Sequence, residues 1–302
     1  MAVDIEVDQY VHVNPKRHSL FLMSDDDRAR ACRQDFWVSH PAANDLIKKI
    51  HVMLRIENKV QAPCMVCCGV GGSGKTSHVQ RLMAESADWE QKLLFVSMHQ
   101  NPNNYNLKQL ILTKMGLDIS RQARASSNIT PQMQEIIRRE NIRGVVIDEV
   151  HDALTLTDLQ QRINLSLLKN LSGSEYGLSV FAFGVGDAQI VLRADPQLAR
   201  RYAVHNIKPF NYDNDFRNFV ASYINYLPLK LRTNLSDQAM LLTLYKNTGG
   251  VIDNVVKALQ ASASFAVLSG DERIKIEHIM GIEHLFEMFG MASGYSDDSK
   301  PK

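Results

Sequence analysis

The sequence is poor in several things at once. No apolar run approaches the length of a membrane span, and the opening residues Met1-Ala2-Val3-Asp4-Ile5-Glu6 are acidic where a signal peptide is basic. Neither insertion nor export is expected, and the protein reads as cytoplasmic. An excess of one charge is lacking too. The 34 Lys and Arg against 33 Asp and Glu leave a formal net charge of +1, so any nucleic-acid surface has to be local rather than a property of the whole chain. Cysteine is scarce, at four residues, and Cys64, Cys67 and Cys68 fall in one short apolar stretch. Cys64-x-x-Cys67 could form half of a zinc or redox site, but no second ligand pair accompanies it, and the three read as small buried strand residues. No internal repeat is found. What is present suffices for an ordinary fold: 302 residues, 45% hydrophobic and 22% charged, can build one large α/β domain and a smaller one.

Against that plain background one stretch stands out. Gly69-Val70-Gly71-Gly72-Ser73-Gly74-Lys75-Thr76 satisfies the full G-x-x-x-x-G-K-[ST] pattern of a phosphate-binding loop. The apolar run Cys64 to Cys68 before it suits a buried strand, and Ser77 to Met83 after it suits a helix, which is the context the motif needs. The glycines let the backbone wrap phosphates without Cβ clashes, and loop N–H groups with the helix start supply positive potential. Lys75 would reach the β- and γ-phosphates, Thr76 would ligate Mg²⁺, and Ser77 completes the candidate nucleotide-binding set.

A second strand-end motif lies about seventy residues downstream. Gly144-Val145-Val146-Ile147-Asp148-Glu149 is a β-branched run closed by two carboxylates. Following a phosphate loop, Asp148 would hold the Mg²⁺ shell and Glu149 would polarise an attacking water. Lys92 to Ser97 reads as another strand, and Leu178 to Asp187 as a further one with Asp187 at its carboxyl end, where α/β folds place their chemistry. Ala203 to Ile207 is a last short strand. Strands separated by helical patterns predict a parallel sheet with both faces covered. A helix is predicted over Asn44 to Lys59, and Phe36, Trp37 and Pro41 before it are candidates for a base pocket or ordinary core. The helix carrying Leu107, Leu110, Ile111 and Met115 places Lys108 and Lys114 on its other face. Arg121, Arg124, Arg138, Arg139 and Arg143 follow, a local basic surplus that suits DNA contact or a solvated face.

The boundaries drawn are an amino-terminal arm of weak structure over 1–35, in which Asp25 to Arg30 could begin a helix behind an acidic cap, a nucleotide-binding α/β domain over 36–210, a helical lid over 211–290 and a disordered tail over 291–302. The lid's helical runs are interrupted at Thr248-Gly249-Gly250 and Gly270-Asp271-Glu272.

The order of motifs resembles the AAA+ ATPases, and within them the transposon-encoded TniB/TnsC group, to which MuB is more distantly similar. The carrying strings are GVGGSGKT (69–76), VVIDEVHD (145–152), FAFGVGDAQ (181–189) and DPQLARRY (195–202); the step from Glu149 to His151 and Asp152, the GVG strand end and DPQLARRY point to TniB. The resemblance implies a P-loop AAA+ parallel sheet flanked by helices with a small carboxy-terminal helical lid. It also implies an ATP- and Mg²⁺-dependent regulator of DNA transposition. ATP-bound subunits would assemble on double-stranded DNA as a ring or helical filament. There they would mark a target and recruit or activate a TniA/TnsB-like transposase, with a TniQ-like targeting protein as a further partner and no membrane. Such a protein would be bacterial and nucleoid-associated when DNA-bound. Arg200 and Arg201 match the segment that carries an arginine finger in such proteins. Asp187 aligns with a sensor position commonly held by Asn, Thr or Ser, and the lid segment Gly250 to Asn254 lacks the second-sensor Arg, for which Asn254 or Lys257 could substitute. Both departures suit slow hydrolysis by a switch. On the residues alone, Lys108, Lys114, Arg121 and Arg124 are the candidate DNA contacts. A replication-type initiator or helicase loader, and a small-molecule kinase on the same loop, remain as alternatives.

Overall fold

The computed structural model describes residues 10–57, 59–99, 105–117, 131–154 and 157–292. They divide into two compact units, one formed by residues 42–208 and the other jointly by the segments before and after it.

The first unit is built on five parallel strands, β1 (Cys64–Gly69), β2 (Lys92–Ser97), β3 (Ile142–Asp148), β4 (Ser179–Gly184) and β5 (Tyr202–Ile207), in the order β2-β3-β4-β1-β5. After α1 (Asp25–Cys32), which belongs to the other unit, its helices are α2 (Pro41–Leu54), α3 (Lys75–Ser86), α4 (Leu107–Lys114), α5 (Pro131–Arg139), α6 (Val150–Leu154), α7 (Asp158–Leu171), α8 (Gly186–Ala194) and α9 (Pro196–Arg201). Side chains alternate across the sheet with the two-residue period of a strand. Cys64, Val66 and Cys68 of β1 join one apolar cluster with Val180, Ile111 and Leu168, while Met65 and Cys67 join another with Phe181, Phe183, Ile47 and Ile50. Both faces are therefore covered, as a parallel sheet requires, and each fully buried Leu, Ile or Phe contributes about 1.5–3 kcal/mol. The cysteines are free and buried, as their composition suggested, and burial raises the Cys64 thiol pKa to about 11.

Parallel register decides where the chemistry can sit. Cys68 pairs with Gly184, Gly69 with Ile207 and Ser97 with Asp148, so the carboxyl ends of all five strands lie along one edge. The order also inserts β4 between the loop strand β1 and the acid strand β3.

The second unit contains α1, α10 (Asn214–Ile224), α11 (Gln238–Thr248), α12 (Ile252–Leu268), α13 (Ile276–Met280) and α14 (Ile282–Met288) around one apolar cluster. Weak structure is not what residues 10–35 show, whereas the helix suggested behind the acidic run is present as α1. Ser24 caps α1 by accepting from Asp27 N, with three aspartates in the first turn, and Ala29 and Cys32 pack into the same cluster as Val255, Leu259 and Ala263 of α12. Partners that distant in sequence are invisible to a local reading. Arg28 is fully buried and donates to Glu272 Oε1 at 2.5 Å and Oε2 at 2.6 Å, to Asp25 at 2.6 Å and to Pro228 O at 3.2 Å. Burial alone would raise the Glu272 carboxyl pKa, but Arg28 and the Lys230 backbone N–H outweigh it and hold it below the usual range. Glu272 itself sits at φ 55°. Lid breaks occur where the sequence placed them, with Gly249 at φ 59° and Gly250 at φ 69°; a Cβ on Gly250 would lie 2.2 Å from Phe210 O. Among the described residues no helix is both long and apolar enough to cross a membrane. The tail 293–302 and the loop 101–104 lie outside the described residues.

Removing one partner of the buried pair strands the other's charge. Glu272→Ala is expected to destabilise the helical unit by about 3–5 kcal/mol in urea unfolding, and Arg28→Met combined with Glu272→Leu to recover most of that loss. Because the Glu272 pKa is depressed on folding, the pair's contribution should be present above the unfolded carboxylate pKa of about 4.3 and fade as pH falls through the folded value.

Candidate functional site

The phosphate loop connects β1 to α3. Gly72 (φ 73°) and Gly74 (φ 81°) occupy the left-handed region, open to glycine without steric penalty, and Gly74 is the α3 N-cap without a side-chain capping bond. A Cβ on Gly69 would lie 2.3 Å from Ser73 Oγ and 3.0 Å from Ile207 O. The loop is thus closed tightly on itself at its base, while the first-turn N–H groups of α3 lack a side-chain acceptor. Ser73 Oγ is buried without a hydrogen-bond partner among the described residues. Lys75 is buried to 7% exposure and its Nζ donates to Gly69 O and Val70 O, both at 3.1 Å. An ammonium resting on neutral carbonyls, an orphan hydroxyl and an uncapped helix start together fit a polyphosphate. His78, one turn into α3, donates from Nδ1 to Gly74 O at 2.7 Å; burial pushes its pKa down, so the neutral ring pins the loop's last residue.

At the end of β3, Asp148 is buried; its carboxylate accepts a hydrogen bond from Glu149 N at 3.1 Å, and the Thr76 hydroxyl nearby favours its charged form. Burial, and then the charge of Glu149, raises its pKa, against the pull of Thr76, the Glu149 N–H and Lys75. A desolvated carboxylate beside the loop threonine is an oxygen donor set that fits Mg²⁺, with Thr76 and Asp148 as the residues that would hold it. Glu149 occupies φ 54°, an uncommon conformation for a residue with a Cβ, at the junction of β3 and α6. Its Oε2 lies 3.0 Å from His151 Nδ1, and His151 Nε2 lies 3.4 Å from Asp152 Oδ1. The sequence reading used His151 only as part of a family string. The signal that could have found it is the Glu-x-His spacing across a tight strand-to-helix turn.

Other expected site residues fall out differently. Asp187 is not at the end of β4, which closes at Gly184; it is exposed in the first turn of α8, because Val185 already serves as that helix's N-cap. Asp195 caps α9 by accepting from Gln197 N and Leu198 N, with Pro196 at the first position, and pairs with Lys169 at 2.5 Å. On that helix the two arginines diverge. Arg201 donates to Lys169 O at 2.8 Å and Ser172 Oγ at 3.2 Å, closing the end of α7. Arg200 is exposed, with no ion pair or hydrogen bond among the described residues.

Lys108 is corrected as a candidate DNA contact. Every residue of α4 from Leu107 to Leu112 is buried, Lys108 to 5% exposure, and burial lowers its ammonium pKa. Lys114 is exposed in the last turn of α4, whereas Arg121 and Arg124 lie outside the described residues. Phe36 stacks on Tyr223 at 4.3 Å and Tyr226 at 5.1 Å, so it packs as core of the helical unit. Of the lid candidates, Asn254 donates to Thr248 O at 3.4 Å and Lys257 pairs with Asp253 at 2.7 Å.

A parallel sheet of order 2-3-4-1-5, with a phosphate loop after β1 and an acid pair after β3, defines an AAA+ ATPase fold. Solved structures agree. The chain is similar to the Cdc6p of Pyrobaculum aerophilum (TM-score 0.60, 15% identity, covering 90% of this chain and 74% of that one), and to the Aeropyrum pernix ORC2 protein in its ADPNP-ADP complexes (0.59, 14%, 85% and 71%). The Aeropyrum pernix ORC1 protein in complex with DNA is similar as well (0.56, 13%, 86% and 69%). No curated protein matches the sequence significantly. The model of the bacterial TniB protein family matches residues 28–212, and the chain belongs to that family.

Folding raises the Asp148 pKa, so ionising this group costs native stability as pH rises from about 3.9 toward the raised value. Asp148→Asn is expected to raise the thermal midpoint of the nucleotide-free protein at pH 7, by roughly 2–4 °C for each kcal/mol relieved. The gain should disappear below pH 3.9, and calorimetry across pH measures both.

Proposed function

We propose that this chain is an ATP-driven switch that assembles on double-stranded DNA and regulates transposition, selecting the target site and recruiting or activating a transposase. The observation that carries the reading is the TniB family match over a chain whose phosphate loop and acid pair meet at one sheet edge. In this reading Lys75 leaves the Gly69 and Val70 carbonyls for the β- and γ-phosphates, and the α3 first-turn N–H groups bind phosphate oxygens. Mg²⁺ held by Thr76 and Asp148 would neutralise phosphate charge. Glu149 orients the attacking water and takes its proton, so that water oxygen bonds the γ-phosphorus as the bond to ADP breaks.

The site is read as incomplete within one chain. Arg201 is committed to the end of α7, so Arg200 is assigned as the finger that a neighbouring copy supplies. Such head-to-tail contacts produce a ring or a helical filament. An exposed carboxylate at Asp187 and the absence of an arginine among Gly250 to Asn254 support slow hydrolysis, suited to timing rather than force. DNA contact is assigned to sequence-independent phosphate binding, with Lys114 retained and Arg121 and Arg124 as further candidates. The likeness to ORC and Cdc6 structures supports a second reading, a replication-type initiator or loader, which would act on DNA without dependence on a transposase.

Electron microscopy with a non-hydrolysable ATP analogue and duplex DNA tests the assembly: protein coating the duplex is expected, and monomers indifferent to both ligands overturn it. Arg200→Ala should lower ATP turnover about 10³-fold while nucleotide affinity is kept. Mixing it with Lys75→Ala subunits should restore part of the activity, since each supplies what the other lacks. Arg201→Ala should instead lower thermal stability by about 0.5–3 kcal/mol through the α7 contacts it loses.

A further inference from the structure

We infer that His151 is a positioning residue for Glu149, holding one carboxylate oxygen so that the other faces the water to be activated. The inference rests on the ATPase reading above and adds a residue to it.

Three observations carry it. The Glu149 side chain is 26% exposed, yet its Oε2, the atom 3.0 Å from His151 Nδ1, has almost no solvent access. The carboxylate is therefore two-sided, with the oxygen beside the imidazole shielded and the remaining exposure lying elsewhere on the side chain. The imidazole is held in turn, because its Nε2 lies 3.4 Å from Asp152 Oδ1. Finally, the backbone brings the pair together at a cost. Glu149 takes φ 54°, its N–H donates to Asp148 Oδ1, and its carbonyl accepts from Asp152 N at 3.1 Å, closing a turn with residues 149 and 151 side by side. A left-handed residue with a Cβ costs about 1–2 kcal/mol, and such strain persists where the surroundings over-determine it. Part of that fixing comes from β4, since a Cβ on Gly184 would lie 3.1 Å from Val150 Cγ1 and 3.5 Å from His151 N. The turn is thus set from both sides.

The chemistry follows. A glutamate that is to receive a proton from water needs one oxygen directed at that water, and a free side chain must first give up its rotamer freedom, about 1.5–2 kcal/mol. The imidazole packed against Oε2 removes part of that freedom beforehand and leaves the second oxygen to accept. The imidazole sits against Oε2 at 3.0 Å but off the hydrogen-bond axis, so it limits the carboxylate by contact, and a small turn of the ring would complete the bond.

The test compares full-length Glu149→Gln, His151→Ala and His151→Asn with the parent, measuring steady-state ATP turnover on duplex DNA, affinity for a fluorescent ATP analogue and thermal midpoint. Asparagine keeps an N–H near the Nδ1 position. His151→Ala is expected to lower kcat about 10- to 100-fold with KM, analogue affinity and midpoint little changed. His151→Asn should recover to within about threefold of the parent, and His151→Ala should cost nothing further in the Glu149→Gln background. Parental kcat in His151→Ala with Glu149→Gln inactive overturns the inference alone. An Asn variant as impaired as the Ala variant, or kcat and nucleotide affinity falling together, overturns it too. Turnover that survives Glu149→Gln unchanged removes the role of Glu149, and the inference with it.

Discussion

The parallel register of β1, β3 and β4 is the constraint on which the site depends. Gly69, Asp148 and Gly184 come from positions far apart in the chain, and only pairing in that register brings their strand ends to one edge. Nothing at the edge is stable by itself. The phosphate loop leaves an orphan Ser73 hydroxyl and an uncapped helix, Asp148 is a carboxylate whose charge burial disfavours, and Glu149 sits in a strained backbone conformation. Buried strands with apolar clusters on both faces hold these unfavourable groups in place. The costs are concentrated where a charged, multi-oxygen ligand would relieve them.

How much of this was legible in the sequence differs by the range of the interaction. The phosphate loop and the acid pair are local strings whose flanks must be strand and helix, and both were readable. The five strands were readable from apolar runs, though the one ending near Asp187 was drawn three residues too long; nothing in Val185 and Gly186 marks that a helix has begun. Lys108 shows a different failure. Helical periodicity assigned it to the outer face of α4, but a helix covered on more than one side buries its polar face as well, and a one-dimensional pattern has no means to see the second cover. The DPQLARRY string identified two arginines and could not separate them. Their separation needed the end of α7, some thirty residues earlier in the chain, where Lys169 O and Ser172 Oγ claim Arg201. The helix at Asp25 to Arg30 was legible from its acidic start, but its burial was not, since Pro228 and Glu272, which hold Arg28, lie two hundred residues or more away in the chain.

Division of labour between adjacent residues recurs here. Arg201 fastens a helix while Arg200 stays exposed; Asp148 faces the loop threonine while Glu149 faces a histidine. In each pair the structural member fixes the backbone from which the other projects. A substitution in either member would reach the other, so adjacent effects here should not be assumed additive.

The buried Arg28–Glu272 pair also sets an order of events in time. The two residues are 244 positions apart, so at about 5–20 residues per second a ribosome makes Glu272 roughly 12–50 s after Arg28. Through that interval α1, at eight residues too short to hold its helix alone, lacks the surface it is built to cover, while the whole of the sheet unit, residues 42–208, is synthesised and can close around its own core. The helix of Arg28 is made before the sheet unit, and the residue it pairs with is made after it. A chain still in synthesis can therefore close its nucleotide fold while Arg28, with the apolar residues Ala29 and Cys32 beside it, has not yet met Glu272.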